Sequence, residues 1–152
     1  YLDDTVFKHF DACDEIWHVG DFGNITLANR LAAFKPLRGV YGNIDGHDIR
    51  TIYPEHLKFT CEKVKVWMTH IGGYPGKYNP KIREELSRHP PNLFIAGHSH
   101  ILKVIYDKKI NCLHMNPGAA GKEGWHRVRT LLRFSISEEK IHTLEIIEIG
   151  NK

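Results

Sequence analysis

The chain has 152 residues, 41% of them hydrophobic and 26% charged, which suits one globular domain large enough to bury a core. Its net charge of +3 comes without a run of Lys or Arg, so no stripe is offered to a nucleic-acid backbone. No apolar stretch approaches the roughly 18–20 residues of a membrane span, and Cys13, Cys61 and Cys112 are too scattered for a zinc knuckle or a disulfide framework. With no signal-peptide pattern, these features lead to the expectation of a cytoplasmic protein with reduced thiols.

The first predicted element is a short helix over 3–11, with Asp3 and Asp4 at its N-terminus and Val6, Phe7 and Phe10 on one face. EIWHVGD (15–21) reads as a buried strand running into a loop. TLANRLAAF (26–34) has Leu27, Leu31 and Phe34 at helical spacing and is stopped by Pro36. LRGVYGN (37–43) is a second strand ending in Gly-Asn. Residues 56–62 and 64–73 read as a hairpin whose second arm ends in His70, Ile71 and two glycines. PKIREELSRH (80–89) is a polar helix with proline at its start, and NLFIAGHSH is a strand that ends in a histidine loop. The remaining segments, ILKVIYDKK, INCLHMNPG, RVRTLLRFSIS and KIHTLEIIEI, alternate as strands, with turns at DKK and SEEK. Helices mixed with strands, followed by strands, indicate a single α/β or α+β layered domain over residues 1–152.

Four predicted strands end in glycine-punctuated loops that carry a metal-capable side chain: Gly20-Asp21, Gly42-Asn43, His70-Ile71-Gly72-Gly73 and Gly97-His98-Ser99-His100. In layered α/β folds ligands bind beyond the carboxyl ends of the strands, so four such loops can converge on one point. One carboxylate, one amide oxygen and three imidazoles suit borderline divalent metals and are too rich in nitrogen for Ca²⁺ or Mg²⁺ alone. If their segment stays extended, His98 and His100 point to the same side. Each loop alone is commonplace; the ordered series is specific.

That series, GD (20–21), GNID (42–45), THIGG (69–73) and GHSH (97–100), resembles the calcineurin-like metallophosphoesterases. Among them the small YfcE-type phosphodiesterases are the most similar, because NPGAAG (116–121) also looks like their Asn-Pro-Gly loop. The resemblance runs over essentially the whole chain. It implies a four-layer αββα sandwich of two central mixed β-sheets flanked by helices. It also implies two divalent cations, with Mn²⁺ as the leading candidate and Ni²⁺, Fe²⁺, Zn²⁺ or Co²⁺ as others. Asp21 would bridge them, Asn43, His70 and His98 would complete one shell, and His100 would belong to the other. Asn43 and Asp45 are the residues expected closest to catalysis, Asp45 beside the ligands or on the substrate side. Asn116 and Gly118 of the glycine-rich loop 116–127 are expected to meet the substrate phosphate. The implied activity is metal-dependent hydrolysis of small phosphodiesters or nucleotides. Membrane and nucleic-acid polymer are not expected partners, and a homo-oligomer is left open.

Two departures stand out. The family's first strand ends in Asp-x-His and serves the first ion; here Asp3, Asp4 and His9 have the wrong order, so that strand is expected to precede Tyr1 in the native protein. Ile44 stands in GN-x-D where many members carry a histidine, and it cannot transfer a proton. His18 and His47 are the candidates to replace it, although His18 fits a core position on its strand. Trp125 and Tyr74 are candidates for stacking on a ring, and Lys122, His126 and Arg127 for binding substrate charge. Two rival readings remain: an interaction scaffold on the same fold, as in the family's retromer subunit, and a structural protein with a single metal.

Overall fold

The computed structural model describes residues 4–151, so Asp3 of the predicted first helix and any strand before Tyr1 lie outside the described residues. Helix α1 (Asp4–Phe10) is followed by strand β1 (Ile16–His18), helix α2 (Ile25–Phe34) and strand β2 (Leu37–Gly39). The Asn24 side chain caps α2 by accepting the Leu27 N–H at 2.8 Å, and the helix gives way to extended chain at Lys35, the residue before a proline. Helix α3 (His47–Ile52) was not expected from the sequence; its six residues are too few to show a periodicity. Strands β3 (His56–Cys61) and β4 (Val64–Thr69) form the expected hairpin. A two-residue ribbon, β5 (Gly73–Tyr74) with β6 (Lys77–Tyr78), leads into helix α4 (Arg83–Arg88). Strands β7 (Leu93–Ala96), β8 (Lys103–Asp107), β9 (Cys112–Asn116), β10 (Val128–Ser137) and β11 (Lys140–Asn151) complete the chain.

Five strands make a mixed sheet in the order β3-β4-β7-β9-β8, with β4, β7 and β9 parallel and both edges antiparallel. Alternation assigns each residue to a face. Val64, Val66 and Met68 of β4, with Leu93 and Ile95 of β7 and Met115 of β9, enter one core together with Val40. Trp67, Phe94, Ala96 and Cys112 point the other way, onto Ile82 and Leu86 around α4. The first core is closed from the opposite side by Trp17 and by Leu132, Phe134 and Ile136 of β10. Beyond β1, Phe7, Phe22, Ala28, Leu31 and Ile49 form a third cluster that seats α1, α2 and α3. Each large apolar side chain buried this way contributes about 1.5–3 kcal/mol relative to exposure. The layers therefore run helix, sheet, sheet, helices, which is the expected αββα order.

The second strand layer is not one continuous sheet. Among the described residues β1 pairs only with β2, in parallel, and β10 only with β11, antiparallel. Residues 15–19 and 130–137 instead wall a cavity of about 1320 Å³, which opens toward Asp21, His98 and His100. No helix among the described residues is long and apolar enough to cross a membrane. The three cysteines are free thiols, with Cys112 fully buried.

Candidate metal centre

The loops after β1, β2, β4 and β7 bring four polar side chains together. Asn43 Oδ1 lies 2.9 Å from His70 Nε2 and 3.1 Å from His98 Nδ1, and His70 Nε2 lies 3.3 Å from Asp21 Oδ2. Two donors bonded to one ion at about 2.1 Å, roughly 90–110° apart, stand about 3.0–3.4 Å from each other. The observed spacings have that scale. No three His, Cys, Asp or Glu side chains among the described residues make a metal cage by themselves; the convergence here has the amide of Asn43 at its middle.

The hydrogen bonds show what this arrangement is suited to hold. His70 Nδ1–H donates to the Val19 carbonyl at 2.7 Å, which fixes the tautomer and turns Nε2 toward Asn43 Oδ1 and Asp21 Oδ2. Those two oxygens are acceptors, so a lone pair on Nε2 is tolerated only with a cation or a proton between them. Burial works against a charged His70, but the Asp21 carboxylate and the Val19 carbonyl outweigh it and raise its pKa. Burial likewise works against the Asp21 carboxylate, yet His70, the Ile44 N–H and His98 hold its pKa below the ordinary value. In the absence of a metal a proton satisfies this cluster; a borderline divalent cation would replace it with the same donors.

Asp45 sits beneath these residues, 3% exposed. Its carboxylate accepts the N–H groups of Phe22 (3.1 Å), Gly23 (2.9 Å) and Gly42 (2.8 Å). It therefore ties the loop of Asp21 to the loop of Asn43, and its oxygens are occupied by backbone rather than turned to a substrate. Arg50 adds a donor to the Asp45 carbonyl at 2.7 Å and lies over the Tyr41 ring at 4.3 Å. Gly42 is required by the close approach of the two loops, since a Cβ there would collide with Asp21.

The GHSH loop departs from the extended form assumed for it. His98 and His100 have φ of 67° and 61°, and Asp21 has φ of 60°. Left-handed backbone at non-glycine residues is strained and gathers at functional sites. Because the chain turns at both histidines, the alternation rule fails: His98 faces Asn43, while the His100 ring packs edge-on against His126 with centroids 5.1 Å apart. The structure thus brings together Asp21, Asn43, His70 and His98 but sets His100 beside a different neighbour.

Asn116 and Gly118 do not present themselves to a phosphate. Asn116 is buried; its Nδ2 donates to the Gly97 carbonyl (3.1 Å) and to Ser99 Oγ (3.2 Å), and its Oδ1 takes the Gly118 N–H at 3.0 Å. The Gly118 N–H is spent on Asn116, and Asn116 shapes the histidine loop from behind. Tyr74 does the same through a hydroxyl hydrogen bond to Ser99 Oγ, with His114 against its ring and Lys103 Nζ 4.8 Å from the ring centre. Trp125 is 98% exposed on the glycine-rich loop, beside exposed Lys122 and Arg127. His18 is half-buried at the cavity wall rather than enclosed in the core: it stacks on Phe22 at 3.9 Å, its Nδ1 accepts the Gly20 N–H, and desolvation pushes its pKa down to about 4. It is therefore no imidazolium acid near neutral pH. His47 is exposed at the start of α3, and Ile44 is 60% exposed at the mouth of the site.

Solved structures with the same fold include Vps29 from Entamoeba histolytica complexed with Zn²⁺, at 12% identity and a TM-score of 0.74, covering 99% of this chain and 91% of that one. A predicted phosphoesterase from Streptococcus pneumoniae aligns at 19% identity with a TM-score of 0.67, covering 97% and 92%. An archaeal phosphodiesterase aligns at 16% identity with a TM-score of 0.69, covering 93% and 88%. No curated protein matches the chain significantly. The sequence model of the calcineurin-like phosphoesterase superfamily domain matches residues 1–139, and the chain belongs to that superfamily.

Proposed function

We propose that this protein is a metal-dependent phosphodiesterase that hydrolyses small phosphodiesters or nucleotides, with Mn²⁺ as the preferred ion. The observation that carries this reading is the convergence of Asp21, Asn43, His70 and His98 at ligand spacing, with acceptor atoms facing one another. Bound divalent ions supply Lewis acidity toward phosphate oxygens and lower the pKa of water. The chain's residues do the rest. Asp21, Asn43, His70 and His98 hold the ion, Asp45 fixes the two loops, and Asn116 with Tyr74 braces the histidine loop. Ile44 brings no proton to a departing oxygen, and His18 is neutral and stacked away, so alcohols of low pKa leave best.

A second reading, an interaction scaffold on the same fold, is favoured by three isoleucines that directly follow proposed ligands and stand exposed: Ile44 (60%), Ile71 (43%) and Ile101 (58%). Hydrolysis of bis(para-nitrophenyl) phosphate with Mn²⁺ separates the two. The enzyme reading expects turnover that needs the metal and is lost in His98→Ala. Absence of metal-dependent turnover, or turnover indifferent to His98→Ala, rejects it.

A further inference from the structure

The loop between β9 and β10 holds a tryptophan out in water. Trp125 is 98% exposed, although folding ordinarily buries most of a tryptophan's surface. The segment beneath it is firmly anchored. The Thr130 N–H donates to the Ala119 carbonyl at 2.9 Å, Thr130 Oγ1 to the Pro117 carbonyl at 2.7 Å, and Arg129 Nε to the Ala120 carbonyl at 2.7 Å. His126 Nε2 donates to the Gly121 carbonyl at 2.8 Å and closes the loop on itself.

Both chain neighbours of Trp125 meet the ring of His100. A Cβ added at Gly124 would collide with His100 Nδ1, and the His126 ring packs edge-on against His100 with centroids 5.1 Å apart. The loop that carries His100 also carries His98, whose Nδ1 lies 3.1 Å from Asn43 Oδ1. Glu123 and Gly124 line the cavity that Asp21, His98 and Ile44 also line, so the indole stands at its rim. Ile44 adds exposed apolar surface there from the loop after β2, with its N–H donating to Asp21 Oδ1 at 3.3 Å.

We propose that Trp125 is a specificity residue that stacks on a planar ring carried by one alcohol of the phosphodiester. Given the phosphodiesterase reading, on which this role rests, the substrates are aryl esters rather than esters of aliphatic alcohols alone. The charged phosphate belongs with the ligands of the metal centre, whereas an exposed indole offers a flat, rigid, largely apolar face that matches another ring. A phenol also meets the other demand of the site, where Ile44 brings no proton. Its pKa of about 10 lets the oxygen depart unprotonated more readily than that of an aliphatic alcohol. Hydrolysis joins the oxygen of water to phosphorus and breaks the P–O bond to the ring oxygen, which departs with the electron pair and ends as a phenol with one proton of the water.

Calorimetric titration of the Mn²⁺-loaded protein with phosphonates, whose C–P bond resists hydrolysis, tests the stacking without any turnover. Phenyl-, benzyl- and 2-phenylethylphosphonate place the ring progressively farther from phosphorus, and their cyclohexyl counterparts keep the bulk without the planar face. In the wild-type protein a ring compound of this series should bind at least about fivefold more tightly than its cyclohexyl counterpart, the low end for a ring stacked on an aromatic side chain. Trp125→Leu should abolish that preference and Trp125→Phe should keep most of it, while both variants bind Mn²⁺ and the cyclohexyl compounds as the wild type does. Because the side chain lies almost wholly in water, neither substitution should shift the urea unfolding midpoint. Equal affinity for ring and cyclohexyl compounds, or a preference that survives Trp125→Leu, overturns the role of Trp125 and leaves the metal centre standing. Failure of every phosphonate to bind in an Mn²⁺-dependent manner overturns the phosphodiesterase reading, and the role of Trp125 with it.

Discussion

Replacing Asp45 by alanine removes the acceptor of three backbone N–H groups at once, those of Phe22, Gly23 and Gly42. A hydrogen bond to a charged group contributes about 1.5–3 kcal/mol, and a buried donor left unmade costs about 1–3 kcal/mol. Gly23 is exposed and its N–H can turn to water; Phe22 and Gly42 are buried and cannot do so without opening the loops. Two unsatisfied buried donors give an expected loss of about 3–5 kcal/mol in unfolding free energy. Asp48, exposed on α3 and accepting the Ile49 N–H at 2.9 Å, serves as the control, with a loss under about 1 kcal/mol for Asp48→Ala. Urea unfolding at neutral pH measures both. Because the same carboxylate joins the Asp21 and Asn43 loops, Asp45→Ala should also weaken divalent-cation binding in protein that remains folded. A stability loss below about 1 kcal/mol with unchanged cation affinity would refute the positioning role.

Three further outcomes follow from the geometry. A Cβ at Gly72 would lie 2.7 Å from both Ala96 Cβ and Phe94 Cζ, which are fully buried, so Gly72→Ala should cost about 1–3 kcal/mol in urea unfolding. Burial pushes the His114 pKa down to about 4, below the ordinary 6.5; its stabilisation is complete above pH 6.5 and is lost as pH falls toward 4. The loss reaches about 3 kcal/mol by pH 4, and His114→Leu should remove that part of the pH slope in parallel urea titrations. His70 runs the other way for the metal: its raised pKa means a proton competes with the cation, so affinity should climb by about tenfold per pH unit until that pKa is passed. Calorimetry in buffers of different ionisation enthalpy should show the released proton, and a flat affinity below neutral pH would contradict it.

The strands were legible as apolar runs bounded by turns, but their faces were not: Leu93, Phe94, Ile95 and Ala96 are all apolar, and only the fold sets Leu93 and Ile95 toward one core and Phe94 and Ala96 toward the other. The ligand loops were legible because glycine marks where the chain turns at a strand end. What lay beyond reach was backbone conformation within those loops. The left-handed φ at His98 and His100 separates two histidines that an extended segment would have kept together. Asn116 spends its amide on the neighbouring histidine loop, which depends on a contact across 19 residues of sequence, and it takes the Gly118 N–H as well. The role of Asp45 depends on one across 23 residues, to Phe22. Helix α3 is too short to announce itself.

The central claim is that four side chains hold one divalent ion, and diffraction from crystals soaked in Mn²⁺ tests it most directly. The account predicts an anomalous peak bonded to Asp21, Asn43 Oδ1, His70 Nε2 and His98 at about 2.0–2.3 Å. A peak held by other residues, or no peak while His70 keeps its proton between Asp21 and Asn43, would contradict it.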